Sequence, residues 1–239
     1  MEKKYKLTEE YINVNSRTFY RIEALKDFAD VKKGDKGGYI ENENNLSQYN
    51  DCWIYDNAKV YGDAKIYDNA IVHGYAEVYD DTVICNNAEA YGHAEVCGNA
   101  KVYGHAEVYD YAEIYGHAEV YGYAEICDNA KVYDNAEVYD YAEVCDNAEV
   151  YGYAKVCGYT KVYGNAEICA NTDYIVFKNW WSSGRYFTWT RSNNMWRVGC
   201  FYGTGKELIE KAYKDSELSG IEYKRVVDYV ESILKTNKQ

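Results

Sequence analysis

The stretch AEVYGYAEICDNAKVYDNAEVYDYAEVCDNAEVYGY runs from Ala118 to Tyr153 and is one six-residue phrase said six times. Working outward, the phrase holds without a break from Ala58 to Thr172. Its small residue falls on twenty positions, of which seventeen are Ala and three are Thr82, Thr160 and Thr172. The aliphatic residue two places on is equally regular, with only Ala90 undersized. Within a phrase, Ala and Val alternate with Glu and Tyr. Alternation at period two makes a short strand with Ala and Val inward. The following Gly-Asp, Asp-Asn or Gly-Tyr pair turns a corner, because Gly, Asn and Asp tolerate bent or left-handed backbone. Three such sides close a triangular coil. A fixed short period marks a solenoid. Stacking at about 4.8 Å per coil, roughly seven coils make a prism about 34 Å long. The chain has no Pro, as expected where every strand is paired above and below.

The phrase resembles that of hexapeptide-repeat proteins, which fold as left-handed parallel β-helices; the left hand is what the resemblance implies. Gly37-Gly38-Tyr39-Ile40-Glu41 with Asn45-Leu46-Ser47, and Gly199 to Gly205 with Glu207-Leu208, are similar to segments flanking the repeats in uncharacterised bacterial and prophage hexapeptide proteins. That resemblance spans nearly the whole chain and implies a phage-borne context without known chemistry. The expected fold is therefore an all-β solenoid with an N-terminal β cap over residues 1–45, a β-helix over 46–174 and a small α+β module over 175–239. In the module, strands are expected at Tyr174–Phe177, Tyr186–Thr190 and Met195–Phe201, with helices near Lys206–Tyr213 and Glu222–Leu234.

Net charge is −13 over 239 residues. Residues 1–45 are neutral overall, residues 46–174 carry six Lys against 23 acids, and residues 175–239 carry eleven basic groups against seven acidic ones. A prism this acidic repels nucleic acid along its sides and attracts basic protein. The start, MEKKYKLTEEYINV, lacks an apolar core, so no secretory signal or membrane span is expected, and a cytoplasmic location is. Six of the eight cysteines (85, 97, 127, 145, 157 and 169) stand where the phrase has Tyr. With no C-x-x-C pair they read as free thiols. The four His (73, 93, 105 and 117) fall on scattered sides, so neither a metal site nor a cofactor is expected.

The wider hexapeptide class is best known for trimeric acyl-coenzyme A acyltransferases, in which an inserted loop walls the site and often supplies a general-base His. No loop interrupts residues 58–172, and His93, His105 and His117 occupy an ordinary corner position. A general base needs an orienting partner and a pocket, so acyl transfer is the weaker alternative and no catalytic residue is assigned. The Gly-rich run at 199–205 lacks the spacing of a phosphate-binding P-loop.

Two uneven places remain. At period eighteen, one side of the prism stacks Glu89, Glu107, Glu125 and Glu143, whereas Lys interrupts the acid columns of the other two. The corner leading into that side stacks Tyr123, Tyr141 and Tyr159, and its Tyr column holds the vertically adjacent Cys127 and Cys145. An aromatic edge beside a carboxylate row suits a protein interface, with a sister subunit in a dimer or trimer or with a basic host protein. Second, Ile175 to Lys206 contains no acid but carries Lys178, Arg185, Arg191, Arg197, Lys206 and four tryptophans, Trp180, Trp181, Trp189 and Trp196. Arg185, Arg191, Arg197 and Lys206 with Trp181 and Trp189 would suit a nucleotide or other anion. The competing expectation is that this basic module docks on the acidic prism end and neutralises it, with the tryptophans as core.

Overall fold

A computed structural model describes residues 2–236. Two-residue rungs recur every six residues from Trp53–Ile54 to Glu167–Ile168 and stack into three parallel sheets, giving a mostly β solenoid of about seven turns. Each coil donates its backbone N–H groups to the next: the Glu107 N–H lies 2.9 Å from the Ala124 carbonyl oxygen, and the Tyr109 N–H 2.9 Å from that of Ile126. The inward Ala and Val/Ile columns are sealed from solvent and form one continuous core. Thr82 and Thr160 are buried among them, the Thr160 hydroxyl donating to the Cys157 carbonyl at 2.6 Å.

The corners explain the Gly/Asp/Asn position of the phrase. Asp128, Asp140 and Asp146 have φ of 57°, 61° and 62°, in the left-handed region. Gly122 has φ 76°, and a Cβ there would meet the Asp140 nitrogen at 2.8 Å. An aspartate at this corner also guides the coil above it: the Asp146 N–H donates to Asp128 Oδ2 at 3.1 Å, and the Gly158 N–H to Asp140 Oδ2 at 3.1 Å.

The N-terminal cap comprises β1 (Tyr5–Val14), β2 (Arg17–Ala24) and β3 (Lys36–Ile40), joined antiparallel. β3 then pairs in parallel with Lys59–Val60, so the coil geometry begins before residue 46. Tyr5, Phe28 and Trp53 pack edge to face over the first coil. Lys4 is buried here. Its ammonium donates to the Cys52, Asn50 and Tyr49 carbonyls at 2.7, 3.2 and 3.3 Å, and burial pulls its pKa down.

At the other end, an antiparallel sheet of four strands covers the last coil. Its strands are Tyr174–Lys178, Tyr186–Thr190, Met195–Val198 and Phe201–Gly203. The single strand expected over Met195–Phe201 is broken in two, because Gly199 turns with φ 57° and folds the chain back. Helices α1 (Gly205–Asp215) and α2 (Glu217–Thr236) are longer than expected and pack on one face of the sheet, enclosing Phe187, Trp189, Trp196, Val198, Leu208, Val227 and Val230. The other face meets the solenoid. The Lys161 N–H donates to Thr188 Oγ1 at 2.9 Å, the Glu167 N–H to Ser192 Oγ at 2.7 Å, and the Tyr174 hydroxyl to the Lys155 carbonyl at 2.8 Å. The module thus docks on the prism end, without ion pairs across the junction. Among the described residues no tail Lys or Arg forms an ion pair with a solenoid acid. Neutral hydrogen bonds satisfy the open backbone edge instead.

Candidate functional site

The regular coils show how the phrase contains its own charge. A tyrosine hydroxyl donates to the glutamate of the following coil: Tyr61 to Glu77 at 3.2 Å, Tyr91 to Glu107 at 3.0 Å, Tyr103 to Glu119 at 3.2 Å, Tyr121 to Glu137 at 3.3 Å and Tyr133 to Glu149 at 2.8 Å. Partial burial and these carboxylates push the phenols up, Tyr121 to about 12. On the two sides that carry interspersed Lys, ion pairs add to this: Lys59–Glu77, Lys101–Glu119, Lys131–Glu113 and Lys155–Glu137.

The third side differs, as its sequence suggests. Glu89, Glu107, Glu125 and Glu143 are in direct register, each paired with the next. Two residues relieve the upper end that column reading had not assigned to it: Lys161 forms an ion pair with Glu143, and the Tyr163 hydroxyl donates to Glu143 at 2.6 Å. Lys161 lies one period above Glu143, so the same count would have found it. Glu107 has Tyr91. Glu125 has neither. Its carboxyl is held above the usual range, chiefly by burial and then by Glu143 and Glu107, with Lys161 opposing.

Beside this row the corner tyrosines form a ladder longer than the three residues expected. His105, Tyr123, Tyr141, Tyr159 and Tyr186 stack in sequence with centroids 4.8, 5.1, 5.0 and 4.6 Å apart. Tyr123, Tyr141 and Tyr159 remain 51%, 49% and 47% exposed. Tyr186 comes from the tail sheet, so the ladder crosses onto the module, where Lys178 sits 5.6 Å from its ring. Only the docked tail could reveal that extension. The next column on the same edge, Tyr103, Tyr121 and Tyr139, stacks at 4.9 Å. The edge is therefore a double aromatic stripe bordered by carboxylates.

Three of the four histidines, His73, His93 and His105, are rungs of such ladders. His93 lies between Tyr75 and Tyr111, and His73 on Tyr91. His117 lines an open groove with Glu119, Asn135, Glu137 and Tyr153.

The tail residues do not gather into one anion site. Trp189 is 1% exposed, its indole N–H donating to Asn194 Oδ1 at 2.9 Å. Trp196 is core as well, Trp181 is half-buried against Phe187 and Tyr223, and Trp180 is exposed. Arg197 lies 4.0 Å over the Tyr163 ring on the solenoid side, whereas Arg185 borders Lys211, Asp215 and Tyr223 beside the helices. The exposed Arg191 fixes its backbone on Asp173. Lys206 faces Glu210 at 3.9 Å. The N-terminus of α1 is already filled: Thr204 caps it, and Glu207 Oε2 accepts from the Thr204 N–H at 2.8 Å.

Cysteine usage departs from expectation at one place. Cys127 and Cys145 are joined as a disulfide, while Cys52, Cys85, Cys97, Cys157, Cys169 and Cys200 are free. Parallel pairing in register sets the two Cα atoms 4.7 Å apart, inside the range a disulfide needs. Asp128 stands with this pair, all three donor atoms lying within 4.8 Å of one another.

No protein-family model matches this chain, and no curated protein matches it either.

Proposed function

We propose that this protein is a non-catalytic interaction protein that binds a basic partner along the edge formed by Glu89, Glu107, Glu125, Glu143 and the ladder Tyr123, Tyr141, Tyr159. The observation that carries the reading is Glu125: a carboxylate between two others, with no donor of its own among the described residues, beside rings about half exposed. A lysine or arginine row would relieve that repulsion, and the tyrosines would add apolar contact area without burying a further charge. A partner whose basic surface normally holds nucleic acid fits the charge best, so a decoy or inhibitor role follows, consistent with the resemblance to prophage proteins. The six-residue phrase also supports reading the chain as a left-handed hexapeptide-repeat protein that works in the cytoplasm as a dimer or trimer. Loop-free coils, and the imidazoles of His93 and His105 stacked between or on tyrosines, support a role without acyl transfer.

The test is the double variant Glu107→Lys, Glu125→Lys. Both side chains point outward, so the fold should persist. Capture of a basic host protein should fall, and wild-type association should weaken with added salt. Loss of the oligomer in sedimentation, with capture unchanged, would assign the edge to self-assembly instead. No change in either property would defeat the proposal.

A further inference from the structure

Cys127 and Cys145 occupy the outward column that elsewhere carries tyrosine, one coil apart, between Tyr109 below and Tyr163 above. They are 6% and 3% exposed. None of the other outward cysteines has a cysteine on the adjacent coil. The spacing of this pair belongs to the sheet and not to the disulfide: the Cys127 N–H donates to the Val144 carbonyl at 3.0 Å, and the Cys145 N–H to the Val162 carbonyl at 3.0 Å. Neither bond involves a sulfur.

We propose that the reduced pair, with Asp128, is a binding site for one thiophilic cation of the zinc or copper(I) class, and that the disulfide is its closed form. Thiolates are the preferred ligands of such ions, and a zinc–sulfur bond of about 2.3 Å places two tetrahedral sulfurs about 3.8 Å apart. Neighbouring rungs 4.7 Å apart at Cα can supply that separation by small side-chain rotations. Asp128 brings the oxygen ligand. Its backbone is fixed in the left-handed corner at φ 57°. Its Oδ2 accepts the Asp146 N–H at 3.1 Å and lies 3.7 Å from the Cys127 Sγ. That backbone bond orients the carboxylate, as outer partners of metal ligands do, and leaves Oδ1 to turn toward an ion. The fourth position is left to water. The surroundings favour a cation as well, since Glu125 and Glu143 precede the two cysteines by two residues on the same outward side.

The steps balance. A dithiol passes its two protons and two electrons to the S–S bond and closes to its own disulfide; a phosphine gives two electrons and takes the oxygen of one water to become its oxide, and that water's two protons complete the thiols. Each thiol then loses its proton on binding the ion, so loading the site releases up to two protons. This site shares Glu125 and Glu143 with the acidic edge but does not require that edge to be a protein interface.

The experiment compares oxidised and phosphine-reduced full-length protein without oxygen, each titrated with Co2+. Reduced wild type should develop thiolate-to-cobalt charge-transfer absorption and tetrahedral visible bands at one ion per chain, which Zn2+ then bleaches. The oxidised form should develop neither. Cys127→Ser and Cys145→Ser should lose the bands, and Asp128→Asn should weaken binding by about tenfold or more. Circular dichroism checks that each variant keeps its β signal, and the oxidised-against-reduced comparison needs no substitution. Absence of the bands in reduced wild type overturns the proposal. So does their survival in either serine variant, which would assign them to other thiols, or undiminished affinity in Asp128→Asn.

Discussion

Each outward glutamate of the coils stands above or below another outward side chain 18 residues away, and the phrase answers the resulting repulsion with a tyrosine hydroxyl from the coil beneath. Tyr133 and Glu149, at 2.8 Å, show the device. Tyr133→Phe keeps the ring in its stack and removes only that bond, so it should cost about 1 kcal/mol in urea denaturation; an unchanged midpoint would show the bond is merely geometric. Glu125 is the converse case. Its carboxyl is raised by burial and by Glu143 and Glu107, so ionisation opposes folding. The contribution of this group favours the native state below the ordinary glutamate pKa, about 4.3, and is lost as pH rises through its higher native value. Glu125→Gln should therefore stabilise the protein at pH 7 by about 0.5 kcal/mol, the scale of exposed like-charge pairs, and the gain should shrink toward pH 4. A variant less stable than wild type at pH 7 would contradict this.

At the scale of the element, the coil side is four residues of strand and two of corner, and almost all of it was legible. Val120 points into the sealed column and is fully buried. Val120→Asp should unfold the protein, because an unpaired buried charge costs several kcal/mol; a wild-type circular dichroism spectrum at 25 °C would refute the inward assignment. The aromatic ladder is the element's second output. Tyr141 stacks on both Tyr123 and Tyr159, so Tyr141→Ala should lose about 1–3 kcal/mol from two ring pairs, whereas Tyr153→Ala, at an isolated and exposed corner, should lose almost nothing. Equal losses would mean that stacking adds little. The tail strands were legible in kind but not in extent. Periodicity could not see that Gly199 would break Met195–Phe201 into a hairpin, since a run of apolar residues reads alike whether continuous or folded once.

For the whole molecule, the decisive feature is that both ends of the solenoid are covered. The tail sheet satisfies the last coil through Thr188, Ser192 and Tyr174. Removing residues 175–239 should bare three rung edges and drive end-to-end association, seen as large species in sedimentation; a monodisperse truncated chain would show that the edges are tolerated. The dispersal of Arg185, Arg191, Arg197 and Lys206 carries its own expectation. Nucleotides should raise the melting temperature little, because a ligand stabilises only the state that binds it. A clear shift lost in Arg191→Ala, Arg197→Ala would restore the nucleotide site.

A six-residue period alone carries the three-sided coil, its inward columns, the carboxylate row from Glu89 to Glu143 and the stacking of Tyr123, Tyr141 and Tyr159. These follow because vertical neighbours in a solenoid lie one coil apart, so counting by eighteen is a measurement of distance. What lies outside that count took the folded chain to reveal. Tyr186 tops the ladder from a segment with no period, Lys4 is buried on three carbonyls of a distant turn, and Trp189 faces α1 and α2 rather than solvent. Cys127 and Cys145 belong between the two cases: counting made them neighbours, but whether neighbours bond depends on the side-chain geometry that folding supplies.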